Sequence, residues 1–243
     1  MLRLIACFLY MGGFLVYTIP RLSRLKRLPE DLKPDIKKKL IHETPKKWAK
    51  TFMGMTGSQV EIVGLHNIPE GPVLFASNHE GNFDIPVLIG VIEKPFGFIS
   101  KIEVKKVPVL SSWMEAIGCV FIDRKNREKA AGSIISGVEL LNKGNSLVIF
   151  PEGTRSKGGP VGLFKAGGFR LAKDSGVPIV PISIQGTADV FEKNGRLVKP
   201  AKIKVIISPP VYSRQYKDKD LISLAEEIRD IIIQSRKVKR IAS

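Results

Sequence analysis

Val73-Leu74-Phe75-Ala76-Ser77-Asn78-His79-Glu80-Gly81-Asn82-Phe83-Asp84 passes from an apolar run into turn residues and sets a histidine and an aspartate five positions apart. Val73 to Ala76 reads as a buried strand, Gly81 and Asn82 supply turn chemistry, and Pro86 is placed to begin a helix over Pro86 to Val91. On one continuous helix five residues turn through about 500°, leaving the two side chains roughly 140° apart, so they meet only across a bend. Asp84 then lies beside the helix N-terminus. Imidazole titrates nearest neutrality, and a carboxylate on its second nitrogen fixes the tautomer and stabilises the imidazolium. His79 and Asp84 are therefore a candidate general base and its orienting carboxylate, the plainer alternative being a helix-capping aspartate beside a hydrogen-bonded histidine. The chain has no Gly-x-Ser-x-Gly, and neither Cys7 nor Cys119 sits in a nucleophile context. The hydroxyl that such a base would activate is expected to belong to the substrate.

Working outward, further apolar runs read as strands over Gln59 to Val63, Phe96 to Ser100, Val120 to Ile122, Leu147 to Phe150, Ile179 to Ile184 and Ile203 to Ile207. Many are continuously apolar, as strands buried on both faces are. Ala130, Ile134, Val138 and Leu141 recur at helical spacing in Arg127 to Asn142, with Gly144 as a stop, and Leu221, Leu224, Ile228, Ile231 and Ile232 do so in Asp220 to Lys237. The expected fold is α/β, a single mixed-sheet domain over residues 58–243 flanked by helices and preceded by a membrane-associated helical hairpin in residues 1–57.

Three more blocks follow the His/Asp corner. Gly118-Cys119-Val120-Phe121-Ile122-Asp123-Arg124 comes after Lys101-Ile102-Glu103-Val104 and Pro108; Phe150-Pro151-Glu152-Gly153-Thr154-Arg155-Ser156 precedes Phe164-Lys165-Ala166-Gly167; Val177-Pro178-Ile179-Val180-Pro181 is last. In this order they resemble the four motif blocks of the glycerolipid acyltransferases with an HxxxxD motif, and most closely the bacterial branch that acylates 1-acyl-glycerol 3-phosphate. The resemblance spans about Gly64 to Pro210. It implies transfer of a fatty acyl group from an acyl-carrier-protein or coenzyme A thioester to the sn-2 hydroxyl of the lysolipid, giving phosphatidic acid. It also implies that Glu152 and Gly153 help bind the glycerol moiety, with Thr154 in the same block. The same chemistry on another lysophospholipid or on glycerol 3-phosphate is the alternative, and a non-catalytic protein binding anionic lipid is the alternative of a different class. One departure is Glu80-Gly81, where many relatives carry Gln-Ser, a change that bears on acceptor preference.

An acceptor phosphate must be held while its hydroxyl meets the base, and that task needs cations. Lys101, Arg124 and Arg155 follow strand-like segments, where ligands of α/β sheets sit, and the planar fork of arginine suits bidentate phosphate binding. No spacing of His, Cys, Asp and Glu suits a metal, so catalysis without metal or cofactor is expected. His42 and His66 read as bystanders, and Phe164, Phe169 and Trp113 as core.

The chain carries 39 Lys and Arg against 23 Asp and Glu, a net charge of +16, and residues 1–50 hold twelve of the bases and only four of the acids. It has no RNA-binding signature, zinc-finger spacing or aromatic-interleaved basic stripe, which weighs against nucleic acid. An anionic membrane surface is the better partner. Leu4 to Ile19 is uncharged and is followed at once by Arg21, Arg24, Lys26 and Arg27. As a helix it would extend about 24 Å, short of the roughly 30 Å hydrocarbon core. Its charge lies after the apolar run and no A-x-A-like site follows, unlike a cleaved signal peptide. We expect it to dip into one leaflet, a complete span being the alternative. Pro34 to Gly54 is expected to be its amphipathic partner, with Ile36, Leu40, Ile41, Trp48 and Phe52 on one broad side and Pro45 kinking or dividing it, a globular surface helix with a solvated basic face being the alternative. On this reading residues 1–51 hold the anchor and none of the candidate catalytic residues. Two cysteines form no disulfide framework, which fits a cell-membrane location facing the cytoplasm.

Overall fold

A computed structural model describes residues 1–237; residues 238–243, the end of the expected 58–243 unit, lie outside the described residues. The expected strands form as β1 (Gln59–Val63), β2 (Leu74–Ser77), β3 (Phe96–Lys101), β4 (Val120–Ile122), β5 (Ser146–Ile149), β6 (Ile179–Gln185) and β7 (Lys202–Ile207). They join in one mixed sheet of seven strands in the order β1-β7-β6-β2-β5-β3-β4, with β6 and β7 antiparallel and the other described neighbours parallel. The helices are α1 (Leu2–Tyr17), α2 (Ile19–Lys26), α3 (Pro34–Thr56), α4 (Asp84–Val91), α5 (Leu110–Ala116), α6 (Arg127–Asn142), α7 (Arg170–Ser175), α8 (Ser213–Tyr216) and α9 (Leu221–Lys237).

β2 is central and wholly buried. Successive strand residues face opposite sides, so Phe75 and Val148 enter the core beneath α3 and α4, while Leu74, Ala76, Leu147 and Ile149 enter the core beneath α7 and α9. Local signals set the helix ends. The Asn126 side chain accepts the Lys129 N–H at 3.0 Å to cap α6, and Gly144 lies just beyond its end at φ 78°.

Three N-terminal details depart from expectation. First, α4 begins at Asp84, two residues before Pro86. Pro86 then occupies the first turn, where a backbone N–H has no intrahelical partner to lose. Second, the apolar run divides at Thr18 into α1 and α2, bent by 42°. Pro20 cannot donate to the preceding turn, and the Thr18 hydroxyl bonds back to Phe14 O at 2.9 Å, so the ladder breaks there while Gly12 and Gly13 remain helical. No single helix among the described residues is long and apolar enough to cross a membrane; only the bent pair is, by length and composition.

Third, α3 is one helix of 23 residues that runs through Pro45 undivided. It is held on both sides of the proline. On one side His42 Nε2 accepts the Phe96 N–H of β3 at 2.9 Å, and on the other Ala49, Phe52 and Met53 are buried. Trp48 stacks on Phe52, and Phe52 on Phe83, with centroids 5.3 and 5.5 Å apart. The apolar side of α3 thus rests on the sheet domain, and His42 is a latch between them.

Candidate functional site

The parallel register of β2 and β5 pairs Ala76 with Ile149, so His79 and Glu152 leave the sheet together, each three residues further on. His79 Nδ1 lies 2.6 Å from Asp84 Oδ2. With Nδ1–H donated to Asp84, Nε2 is the ring nitrogen left to act as a base. The imidazole is further fixed by stacking on Phe150, with centroids 4.1 Å apart. Asp84 has no exposed surface. Its Oδ2 also accepts the N–H groups of Glu80 at 2.8 Å and Gly81 at 3.1 Å, and its Oδ1 accepts the Thr187 hydroxyl. A carboxylate this buried is tolerated because donors converge on it.

The expected site residues divide in two. His79, Lys101, Arg124, Gly153, Thr154 and Arg155 border one cleft of about 730 Å³. Arg124 Nη1 donates to Gly153 O at 2.5 Å, and Arg155 Nη1 to the Asn82 side-chain oxygen. Gly153 has φ +71°, and a Cβ there would come within 3.1 Å of Lys165 Nζ and 3.4 Å of Arg124 Nη1. Glycine is needed for this backbone and for the approach of both cations.

Glu152, expected to help bind the glycerol moiety, holds backbone groups in this structure. It is 6% exposed and does not border the cleft. Its Oε1 accepts the His79 N–H at 2.7 Å and its Oε2 the Gly162 N–H at 2.9 Å. Both oxygens thus clasp backbone behind the histidine. Glu80 and Gly81 are not among the residues that line the cleft. A Cβ at position 81 would lie 2.5 Å from Glu192 Oε2, which occupies the space that glycine leaves.

From His79 the cleft continues into an apolar interior. It is lined by Leu4, Cys7, Met11 and Leu15 of α1, Trp48 and Phe52 of α3, Ile85 and Ile89 of α4, and Trp113 and Met114 of α5. Trp113, expected as core, is buried yet borders this space, its indole N–H donating to Thr18 Oγ1 at 3.0 Å. A polar mouth beside a mostly apolar pocket of this size suits an amphiphile. Thr187 and Lys165 were missed from sequence as site residues. For Lys165 the signal was present in the Phe164-Lys165-Ala166-Gly167 block; for Thr187 none was local, because it reaches Asp84 only through the adjacency of β6 and β2.

The acyltransferase family model matches residues 59–185. A probable 1-acyl-sn-glycerol-3-phosphate acyltransferase of Mycoplasma pneumoniae is 32% identical, over 93% of this chain and 89% of its own. Its counterpart in Mycoplasma genitalium is 35% identical, over 84% and 79%. The crystal structure of the 1-acyl-sn-glycerophosphate (LPA) acyltransferase PlsC from Thermotoga maritima superposes with a TM-score of 0.82 at 25% identity, covering 98% of this chain and 97% of that one.

Proposed function

Because this chain belongs to the acyltransferase family, we propose that it transfers a fatty acyl group from an acyl thioester to the sn-2 hydroxyl of 1-acyl-sn-glycerol-3-phosphate, forming phosphatidic acid. The observation that carries this reading is the His79–Asp84 pair, 2.6 Å apart, at the junction of a cation-lined mouth and an apolar cleft. His79 Nε2 takes the proton of the acceptor hydroxyl as that hydroxyl attacks the thioester carbonyl. Asp84 holds the tautomer and stabilises the imidazolium, which then protonates the departing thiolate. No acyl-enzyme forms. Arg124, Arg155 and Lys101 neutralise the acceptor phosphate, with Gly153 and Thr154 alongside. Glu152 sets the backbone of His79.

The donor is the thioester of acyl carrier protein or coenzyme A, and no metal or cofactor takes part. The enzyme docks on an anionic membrane surface from the cytoplasmic side. The net charge of +16, the two free cysteines and the exposed Leu2, Leu9 and Tyr17 of α1 support that placement. The test is turnover of a radiolabelled acyl thioester with lysophosphatidic acid. His79→Ala is expected to lower kcat by about 10² to 10⁴ while the fold and vesicle binding persist. Near-parental turnover, or an acylated protein trapped with donor alone, would overturn the mechanism.

A further inference from the structure

On the side of the His79–Asp84 corner away from the cleft, the buried Glu80 carboxylate meets an arginine from the far end of the chain. Arg236, near the end of α9, donates from Nη2 to Glu80 Oε1 at 2.9 Å and from Nη1 to Ile184 O at 3.2 Å. Glu80 is 3% exposed, and the guanidinium side chain 20%. We propose that Arg236, acting through Glu80, is a positioning residue for acyl transfer: it ties α9 to the corner and sets the placement of Asp84, and hence of His79. The inference rests on the role given to His79 above.

Two routes lead from this ion pair to the aspartate. Through its own backbone, Glu80 donates its N–H to Asp84 Oδ2 at 2.8 Å. Through its other carboxylate oxygen, Glu80 accepts the Gly186 N–H at 2.8 Å, and the next residue, Thr187, donates its hydroxyl to Asp84 Oδ1. Gly186 leaves no room for a side chain where its backbone passes β7. Its φ is +91°, and a Cβ there would lie 2.2 Å from Lys202 O of β7. The Ile184 carbonyl that Arg236 grips also accepts the Asn78 side-chain amide at 2.9 Å, one residue before His79. Arg236 therefore bridges β6, which leads to Thr187, and the turn after β2 that carries His79, and its planar fork engages two acceptors at once. Removing either partner of such a pair leaves the other charged group without compensation.

The experiment is a double-mutant cycle in the full-length protein with Glu80→Gln, Arg236→Met and both together, reading kcat, KM for lysophosphatidic acid and Tm. Each single change is expected to lower kcat by about 10- to 100-fold with KM nearly unchanged, as a displacement on the order of 1 Å at a reacting group does. The double variant should lose no more than the worse single, because both break the same tether. Parental kcat in the single variants, whatever their Tm, would overturn the proposal; so would losses that multiply in the double variant or that fall on KM. If a single variant does not fold, the neutral double decides: a lowered kcat at unchanged KM supports the tether, and parental kcat overturns it. Parental activity that His79→Ala abolishes, beside unaffected cycle variants, would sink this inference alone, whereas an inactive parent would sink the functional reading.

Discussion

At the β2–α4 corner a carboxylate with no exposed surface accepts hydrogen bonds from His79, Glu80, Gly81 and Thr187. α1, by contrast, carries apolar side chains on two faces and packs against the protein on one. Its Cys7 is 3% exposed inside the cleft wall, while Leu9 and Tyr17 stand 71% and 81% exposed on the outside. The corner is written mainly in local hydrogen bonds, whose donors and acceptors have few alternatives. The helix is written in hydrophobicity, which is non-directional and does not say whether the covering medium is lipid, substrate or protein. Residue spacing therefore brings out the first region, whereas apolar composition gives only a partial reading of the second. The apolar N-terminus expected as an anchor is also a wall of the cleft.

The comparison is tested most severely at Asp84. Asp84→Asn preserves shape but removes the acceptor that fixes the His79 tautomer, and kcat is expected to fall by roughly 10⁴. Thr187→Val, which removes one donor to the same carboxylate, should lose about 10- to 100-fold, as a hydrogen bond to a charged group does. If Asp84→Asn turns over like the parent in a steady-state assay, the aspartate is only a helix cap.

Deleting Met1 to Tyr17 asks whether anchor and wall are one element. An anchor alone predicts that a short-chain, water-soluble lysolipid is still acylated. A wall predicts that turnover of this acceptor falls by about 10²-fold too, because the reacting groups are no longer held in register. Rate measurements on both acceptors, with circular dichroism for the fold, separate the two. Point changes sharpen the same question more gently. Met11→Trp, inside, should shift donor preference toward shorter acyl chains by about 10-fold, since one or two methylenes in a pocket are worth that much. Leu9→Ser, outside, should leave chain preference untouched and weaken vesicle partitioning by a few-fold. Equal effects from both would mean that α1 has no distinct inner face.

The smallest effect is at the latch between α3 and the sheet. Burial pushes the His42 imidazole below its ordinary 6.5, against the opposing pull of its backbone bonds to Phe96 and Lys38. Below 6.5 the unfolded chain takes up a proton that the folded chain resists, so the contribution of His42 is present above that value and is lost as pH falls. Thermal melts should show the parent Tm dropping more steeply than that of His42→Gln on acidification. Parallel curves would remove His42 as a titrating latch.

His79 and Asp84 were legible because five positions around a bend leave few geometries, and the strands because their apolar runs have no other use in a chain of this charge. Glu152 was legible from its block, but its hold on the backbone was not. Register places it behind His79, where two backbone N–H groups claim its oxygens. His42 looked idle because its partner, Phe96, is 54 positions away. Arg236 meets Glu80 across 156 positions, a distance over which no periodicity or spacing carries information.

Apolar period, turn residues and a histidine–aspartate spacing are short-range properties, and from them the chain by itself determined an α/β sheet, its strand and helix content and the chemistry of one corner. Only the tertiary structure decided the strand order, and with it which strand ends meet beside His79. It alone set α3 down on the sheet, turned α1 into a cleft wall and brought α9 back to the corner. The physical reason is that burial rewards apolar surface wherever it finds cover, whereas a particular hydrogen bond needs its two partners brought within about 3 Å by everything packed around them.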